Sequence, residues 1–113
     1  MAAIVLFQQP ACSQDELPAA SRQQSVFVSD SYAGRNYRLY VPSSYTAGRA
    51  LPLVLMLHGC TQDPAQFATG TAMNTLAESQ GFFALYPEQP SSANGNRCWQ
   101  WWLPAHQARG SGE

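Results

Sequence analysis

No lysine occurs in these 113 residues; all six basic side chains are arginine, set against seven acidic ones. Charge is scarce throughout, at 12% of residues with a formal net charge of −1, and no three charged residues follow one another. Six dispersed arginines cannot build the dense phosphate-neutralising face that nucleic-acid binding rests on, so neutral or apolar partners are expected. Long hydrophobic runs are missing too. Leu51–Leu57 is the longest apolar-leaning stretch, well short of the roughly 20 residues of a membrane span. The two histidines, His58 and His106, lie far apart, and no C-x-x-C or H-x-x-x-H spacing occurs. The pattern indicates no metal site and asks for no cofactor. Three cysteines, Cys12, Cys60 and Cys98, leave at least one outside any intrachain pair.

What is present is globular in character: 45% hydrophobic and 12% aromatic residues exclude a disordered or collagen-like chain. Residues 1–24 are rich in Gln, Ala and Ser without a clear period, which predicts a poorly ordered lead-in to one domain over residues 25–113. The opening MAAIVLF has no Lys or Arg before its apolar stretch, and that stretch is shorter than the about 7–15 residues of a secretory core, so an untargeted or mis-started end is expected. Ser25–Ser29 and Asn36–Val41 read as an antiparallel hairpin. Asp30, Ser31, Gly34 and Arg35 supply the turn chemistry, and Tyr37, Leu39 and Val41 alternate against Arg38 and Tyr40 as one buried and one wet face.

Leu51–Leu57 is apolar without alternation, the pattern of a strand buried on both faces. It runs into His58-Gly59-Cys60. Asp63-Pro64-Ala65-Gln66 carries a helix start, with Asp63 as cap, Pro64 at the first position and Gln66 placed for a capping box. Phe67, Ala68, Ala72, Met73, Leu76 and Ala77 recur at helical spacing up to Gly81. Gly70 costs about 1 kcal/mol relative to Ala inside a helix, so two pieces meeting near residues 69–71 are expected. Phe82–Tyr86 is a second apolar strand stopped at Pro87. The whole predicts an α/β fold, a hairpin feeding a βαβ unit of a mostly parallel sheet.

Chemistry concentrates where the first apolar strand ends. Ligands of doubly wound sheets bind beyond the carboxyl ends of strands. In acyl transfer, a backbone N–H fixed about 2.7–3.1 Å from the carbonyl oxygen stabilises the charge that develops there. The turn His58-Gly59-Cys60 is a candidate for that role, with the Cys60 N–H as donor and Gly59 giving the backbone freedom to aim it. A plain strand-to-helix turn, with His58 bonded to nearby backbone and Cys60 as a small filler, is the alternative. Gln62 and Asp63 read as turn and cap residues, and His106 and Arg109 as surface residues of a polar tail.

RNYRLYVPSSY, LPLVLMLHGCTQDPAQFATGTAMNTLAESQGFFALYPEQ and NRCWQWW together resemble the poly(3-hydroxybutyrate) depolymerase-like esterases, relatives of feruloyl and acetylxylan esterases. HGCTQ and CWxWW carry most of that resemblance, which covers residues 25–113. It implies the amino-terminal part of an α/β-hydrolase fold and a Ser-His-Asp esterase acting on polyesters or acylated carbohydrates. It also implies an extracellular or periplasmic location. The departure is at the nucleophile: none of the eleven serines sits in G-x-S-x-G, and Ser111 in Gly110-Ser-Gly112 follows no apolar strand. The expectation is an incomplete esterase with its oxyanion turn but without its triad.

Cys60 and Cys98 belong to the two motifs of the resemblance. A bridge between them would close 38 residues, worth roughly 3–4 kcal/mol in the chain-entropy description; two free thiols are the alternative. Trp99, Trp101 and Trp102 are candidates for a substrate wall, alternation placing the first two on one side and Trp102 on the other. An unpaired edge beside Leu51–Leu57 raises self-association as an expectation. Two rival readings remain: a non-catalytic polymer- or carbohydrate-binding module built on the tryptophans, and a truncated reading frame without independent function.

Overall fold

The computed structural model describes residues 23–112; the lead-in expected over the first 24 residues, the MAAIVLF opening and Cys12 fall outside them, apart from the exposed Gln23 and Gln24. Within them, four strands form one mixed sheet in the order β1-β2-β4-β3. β1 (Val26–Tyr32) and β2 (Arg35–Val41) make the hairpin, β3 (Leu53–Leu55) is an edge strand, and β4 (Phe83–Pro87) lies between β2 and β3. The fold is α/β: β4 runs antiparallel to β2 but parallel to β3, and the β3–β4 connection carries α1 (Pro64–Thr71) and α2 (Met73–Gln80).

The hairpin is longer and turns later than the sequence predicts. Asp30 and Ser31 stay in β1, and the two-residue turn is Ala33-Gly34, both left-handed at φ 51° and 78°. Positive φ at both central residues matches the right-handed twist of the strands. The helical stretch does divide in two, but at Ala72, held left-handed at φ 52° with its N–H on the Thr69 carbonyl. Gly70 lies inside α1 instead. The capping box forms as expected: Gln66 N–H donates to Asp63 Oδ1 at 2.8 Å and Asp63 N–H to Gln66 Oε1 at 3.2 Å.

Both helices lie over the same face of the sheet. Ala68, Ala77, Ala84 and Tyr86 are buried there, with Phe27, Tyr40, Met56, Phe67, Met73 and Phe82 packed around them. Alanines at the contact let helix and sheet backbones approach closely, and the Phe27 ring meets Tyr86 edge-on at 5.7 Å. The Tyr86 hydroxyl donates to Asn74 Oδ1 at 2.6 Å, which satisfies the one polar atom that its burial carries inward.

The covered face of β2 is therefore the one with Arg38 and Tyr40. Register sets Tyr40 opposite Ala84 and Leu39 opposite Leu85, so Leu39 turns the other way, contrary to the predicted alternation. On that second face Leu39, Leu53, Leu55 and Leu85 line an apolar groove of about 430 Å³. Leu53, Leu55 and Leu57 remain 57%, 56% and 48% exposed. The run expected to be buried on both faces is covered on one, because both helices sit on the same side.

Glu78 ties α2 to the end of the hairpin. Its carboxylate accepts from Tyr40 Oη at 2.8 Å, from Ser43 N–H at 3.0 Å and from the Ser43 hydroxyl. These donors, Ser43 hydroxyl foremost, hold the carboxyl below its ordinary range. A group with a lowered folded-state pKa stabilises fully above the ordinary carboxylate range and ceases to do so as pH falls through it to the lowered value. Urea midpoints of wild type and Glu78→Gln are therefore expected to differ at neutral pH and converge on acidification. A gap that stays constant between about pH 6 and about pH 3 would refute this coupling.

Candidate functional site

β3 pairing continues one residue past the strand, Met56 N–H donating to Leu85 O at 2.8 Å, and the chain then turns through residues 57–62 into the capped start of α1. His58 is 2% exposed. The Gln89 backbone N–H, which can only donate, lies 3.0 Å from Nε2, and Nδ1 lies 2.8 Å from the Gly59 carbonyl. Nε2 must therefore accept and Nδ1 carry the proton. With both nitrogens engaged, His58 is a neutral brace between the turn and the end of β4, and no lone pair remains for proton abstraction.

The turn itself is pinned at three of its amides. Gly59 N–H donates to Gln62 Oε1 at 2.8 Å, Gln62 N–H to Gly59 O at 3.2 Å, and Thr61 N–H to Asn96 O at 2.6 Å. Gly59 acts here through its missing side chain: a Cβ would stand 3.0 Å from Gln62 Oε1. The left-handed residue is Thr61, at φ 62°, and not the glycine that the sequence singles out. The Cys60 N–H has no acceptor among the described residues. A disulfide joins Cys60 to Cys98, bringing the two halves of the sequence motif together.

The loop carrying Cys98 is built on Asn94, whose Oδ1 accepts from Asn96 N–H at 3.0 Å and Cys98 N–H at 3.1 Å. Gln89, fully buried, joins this loop to the rest. Its Oε1 accepts from Arg35 Nη1 at 2.8 Å and its Nε2 donates to Cys98 O at 3.1 Å. Sequence reasoning missed Gln89 and the bonds that Asn94 and Arg35 make; Arg35 and Asn94-Gly95-Asn96 carried only a local signal, as turn chemistry.

The tryptophans separate by environment and not by strand alternation, since residues 98–102 form no strand. Trp99 is half-buried beside His58, ring centroids 5.5 Å apart, with the Arg35 guanidinium 5.2 Å from its ring. Trp101 and Trp102 meet edge-on at 6.0 Å and are 73% and 46% exposed. His106 ends the short helix Pro104–His106, and Arg109 is exposed. A polar groove of about 660 Å³ lined by Asp30, Asn36, Asp63, Glu88 and Arg97 opens at the start of α1 without including the turn or the tryptophans. Among the described residues no three His, Cys, Asp or Glu side chains gather as metal ligands, and no helix is long and apolar enough to cross a membrane.

Known proteins are similar to this chain in sequence. Poly(3-hydroxyalkanoate) depolymerase C of Paucimonas lemoignei is 39% identical over 74 residues, 66% of this chain and 17% of its own length. Acetylxylan esterase A of Talaromyces purpureogenus is 32% identical over 81 residues, 72% of this chain and 20% of that protein. Feruloyl esterase B of Thermothelomyces thermophilus is 29% identical over 94 residues, 83% and 31% respectively. The chain thus spans less than a third of each of these relatives. Residues 35–113 match the family described as Esterase PHB depolymerase, and the chain belongs to that family.

Proposed function

We propose that residues 25–113 form the amino-terminal part of an α/β-hydrolase domain in a serine carboxylic ester hydrolase, and that residues 58–60 are its oxyanion turn. The observation that carries the reading is the Cys60 N–H: the amides of Gly59, Thr61 and Gln62 are all bonded, while that of Cys60 has no acceptor among the described residues. When a nucleophile adds to an ester carbonyl, the oxygen becomes an anion and needs such a donor already in place. Disulfide, His58 brace and Thr61 bond hold the donor still, so no reorganisation accompanies the charge. None of the eleven serines in these 113 residues sits in G-x-S-x-G, so the proposal assigns this segment the oxyanion donor and not the nucleophile.

The substrate class follows from the family and from the surface. The relatives' names specify polyhydroxyalkanoate and acetylated xylan, and the exposed Trp101–Trp102 pair offers flat apolar faces to a polyester chain or a sugar ring. The same pair favours a second reading, polymer binding without hydrolysis. Two measurements test the proposal. The 113-residue chain alone is expected to hydrolyse p-nitrophenyl esters no faster than a protein blank, for want of an activated serine; turnover that disappears on Ser111→Ala would overturn that. A chimera in which residues 35–113 replace the matching segment of the Paucimonas lemoignei depolymerase is expected to hydrolyse the same esters. A folded, disulfide-bonded chimera that binds polymer but cleaves no ester would favour the binding reading.

A further inference from the structure

We propose that Gln89 is the positioning residue of the oxyanion turn, an inference that rests on reading residues 58–60 as that turn. Gln89 is fully buried two residues beyond β4, and three of its polar groups reach three separate parts of the chain. The backbone N–H holds His58 Nε2 at 3.0 Å, and through the imidazole the carbonyl of Gly59. The side-chain oxygen takes Arg35 Nη1, at 2.8 Å, from the start of β2. The side-chain nitrogen gives its proton to the carbonyl of Cys98 at 3.1 Å. Cys98 is bonded to Cys60, so the loop that Gln89 grips is the one that pulls on the donor residue. The brace from His58 and the tether from Cys98 meet at a single residue, the first on its backbone N–H and the second on its side-chain amide, and Arg35, stacked on Trp99, fixes that amide's orientation. No other side chain in the described network bonds both β2 and the 94–98 loop while its backbone bonds the turn.

An amide is needed because one end must accept and the other donate. Methionine fills the space and does neither. Glutamate keeps the acceptor for Arg35 but turns a second oxygen, without a proton at neutral pH, toward the Cys98 carbonyl.

The equilibrium of the Cys60–Cys98 pair with reduced and oxidised glutathione reads the positioning directly. Each protein disulfide formed consumes one glutathione disulfide and releases two glutathione thiols, and the constant reports how well the turn and the loop are held together before the bond forms. In the 113-residue chain, Gln89→Met is expected to lower that constant about tenfold, the loss of two hydrogen bonds near this magnitude. Gln89→Glu, which retains the Arg35 bond and keeps the protein measurable if the methionine variant does not fold, is expected to lower it by a smaller factor. Asn74→Ala removes the half-buried partner of the Tyr86 hydroxyl at a distance from the turn and is expected to leave the constant within about twofold despite a loss of stability. Gln89 variants that leave the constant unchanged, or an equal fall in Asn74→Ala, would overturn the proposal by showing that Gln89 only stabilises the fold. No ester enters the measurement, so its outcome is separate from that of the catalytic reading.

Discussion

Cys60→Pro in the depolymerase chimera is expected to lower kcat by about 10²–10³-fold, the usual effect of removing one oxyanion donor. Proline has no N–H, and the Cys60 N–H is an amide of the turn, between the bonded amides of Gly59 and Thr61, that has no acceptor among the described residues. The substitution also removes the disulfide, so the comparison is with Cys60→Ala, which loses the disulfide but keeps the N–H. If the disulfide acts by holding the donor in place, Cys60→Ala loses activity by a much smaller factor, with Gln89 and His58 still bracing the turn. KM is expected to change little in the proline variant, since a donor aimed at the developing oxyanion acts more in the transition state than in the bound ester. Equal losses in the two variants would show that the disulfide matters and the N–H does not.

The isolated chain is expected to associate at tens of micromolar. β3 lies at the edge of the sheet with β4 as its one neighbour, so one side of its backbone is a template for another strand. The same strand presents Leu53 and Leu55 on the uncovered face, with Leu57 following, each about half exposed. Full burial of a leucine is worth about 1.5–3 kcal/mol, so covering these three halves together with Leu39 and Leu85 would return several kcal/mol. That is a substantial fraction of the about 5–15 kcal/mol by which ordinary domains are stable. Sedimentation is expected to show concentration-dependent oligomers that the double variant Leu53→Lys with Leu55→Lys reduces to monomer. A sharp wild-type monomer with a cooperative thermal transition would contradict this and show that the edge and face need no cover.

What the sequence made legible was set by the distance between interacting groups. The capping box at Asp63 and Gln66 spans three residues, and the stop at Gly81 is a single left-handed glycine; both follow from local chemistry. The apolar character of Leu51–Leu57 was also legible, but which face gains cover depends on where two helices dock, and both dock on the side of Val54 and Met56. Left-handed backbone at Ala33, Thr61 and Ala72 was invisible because these residue types do not favour it. Glycine does favour it, yet neither Gly59 nor Gly70 has a positive φ. At the candidate site, the HGC and CW motifs marked the two segments that the disulfide joins. Gln89 was not legible, since its partners His58 and Arg35 lie 31 and 54 residues away and no periodicity links them. Residue type alone sets Trp99 with Trp101 and Trp102, whereas packing against His58 and Arg35 separates it from the exposed pair.

The most direct test of the oxyanion assignment is a crystal structure of the chimera after its serine has reacted with a p-nitrophenyl phosphonate. The phosphonyl oxygen occupies the place of the carbonyl oxygen in the tetrahedral intermediate. The account predicts that oxygen within about 2.7–3.1 Å of the Cys60 nitrogen, with His58 still bonded to Gln89 N–H. A phosphonyl oxygen held by other donors, with the Cys60 N–H turned away from it, would contradict the account.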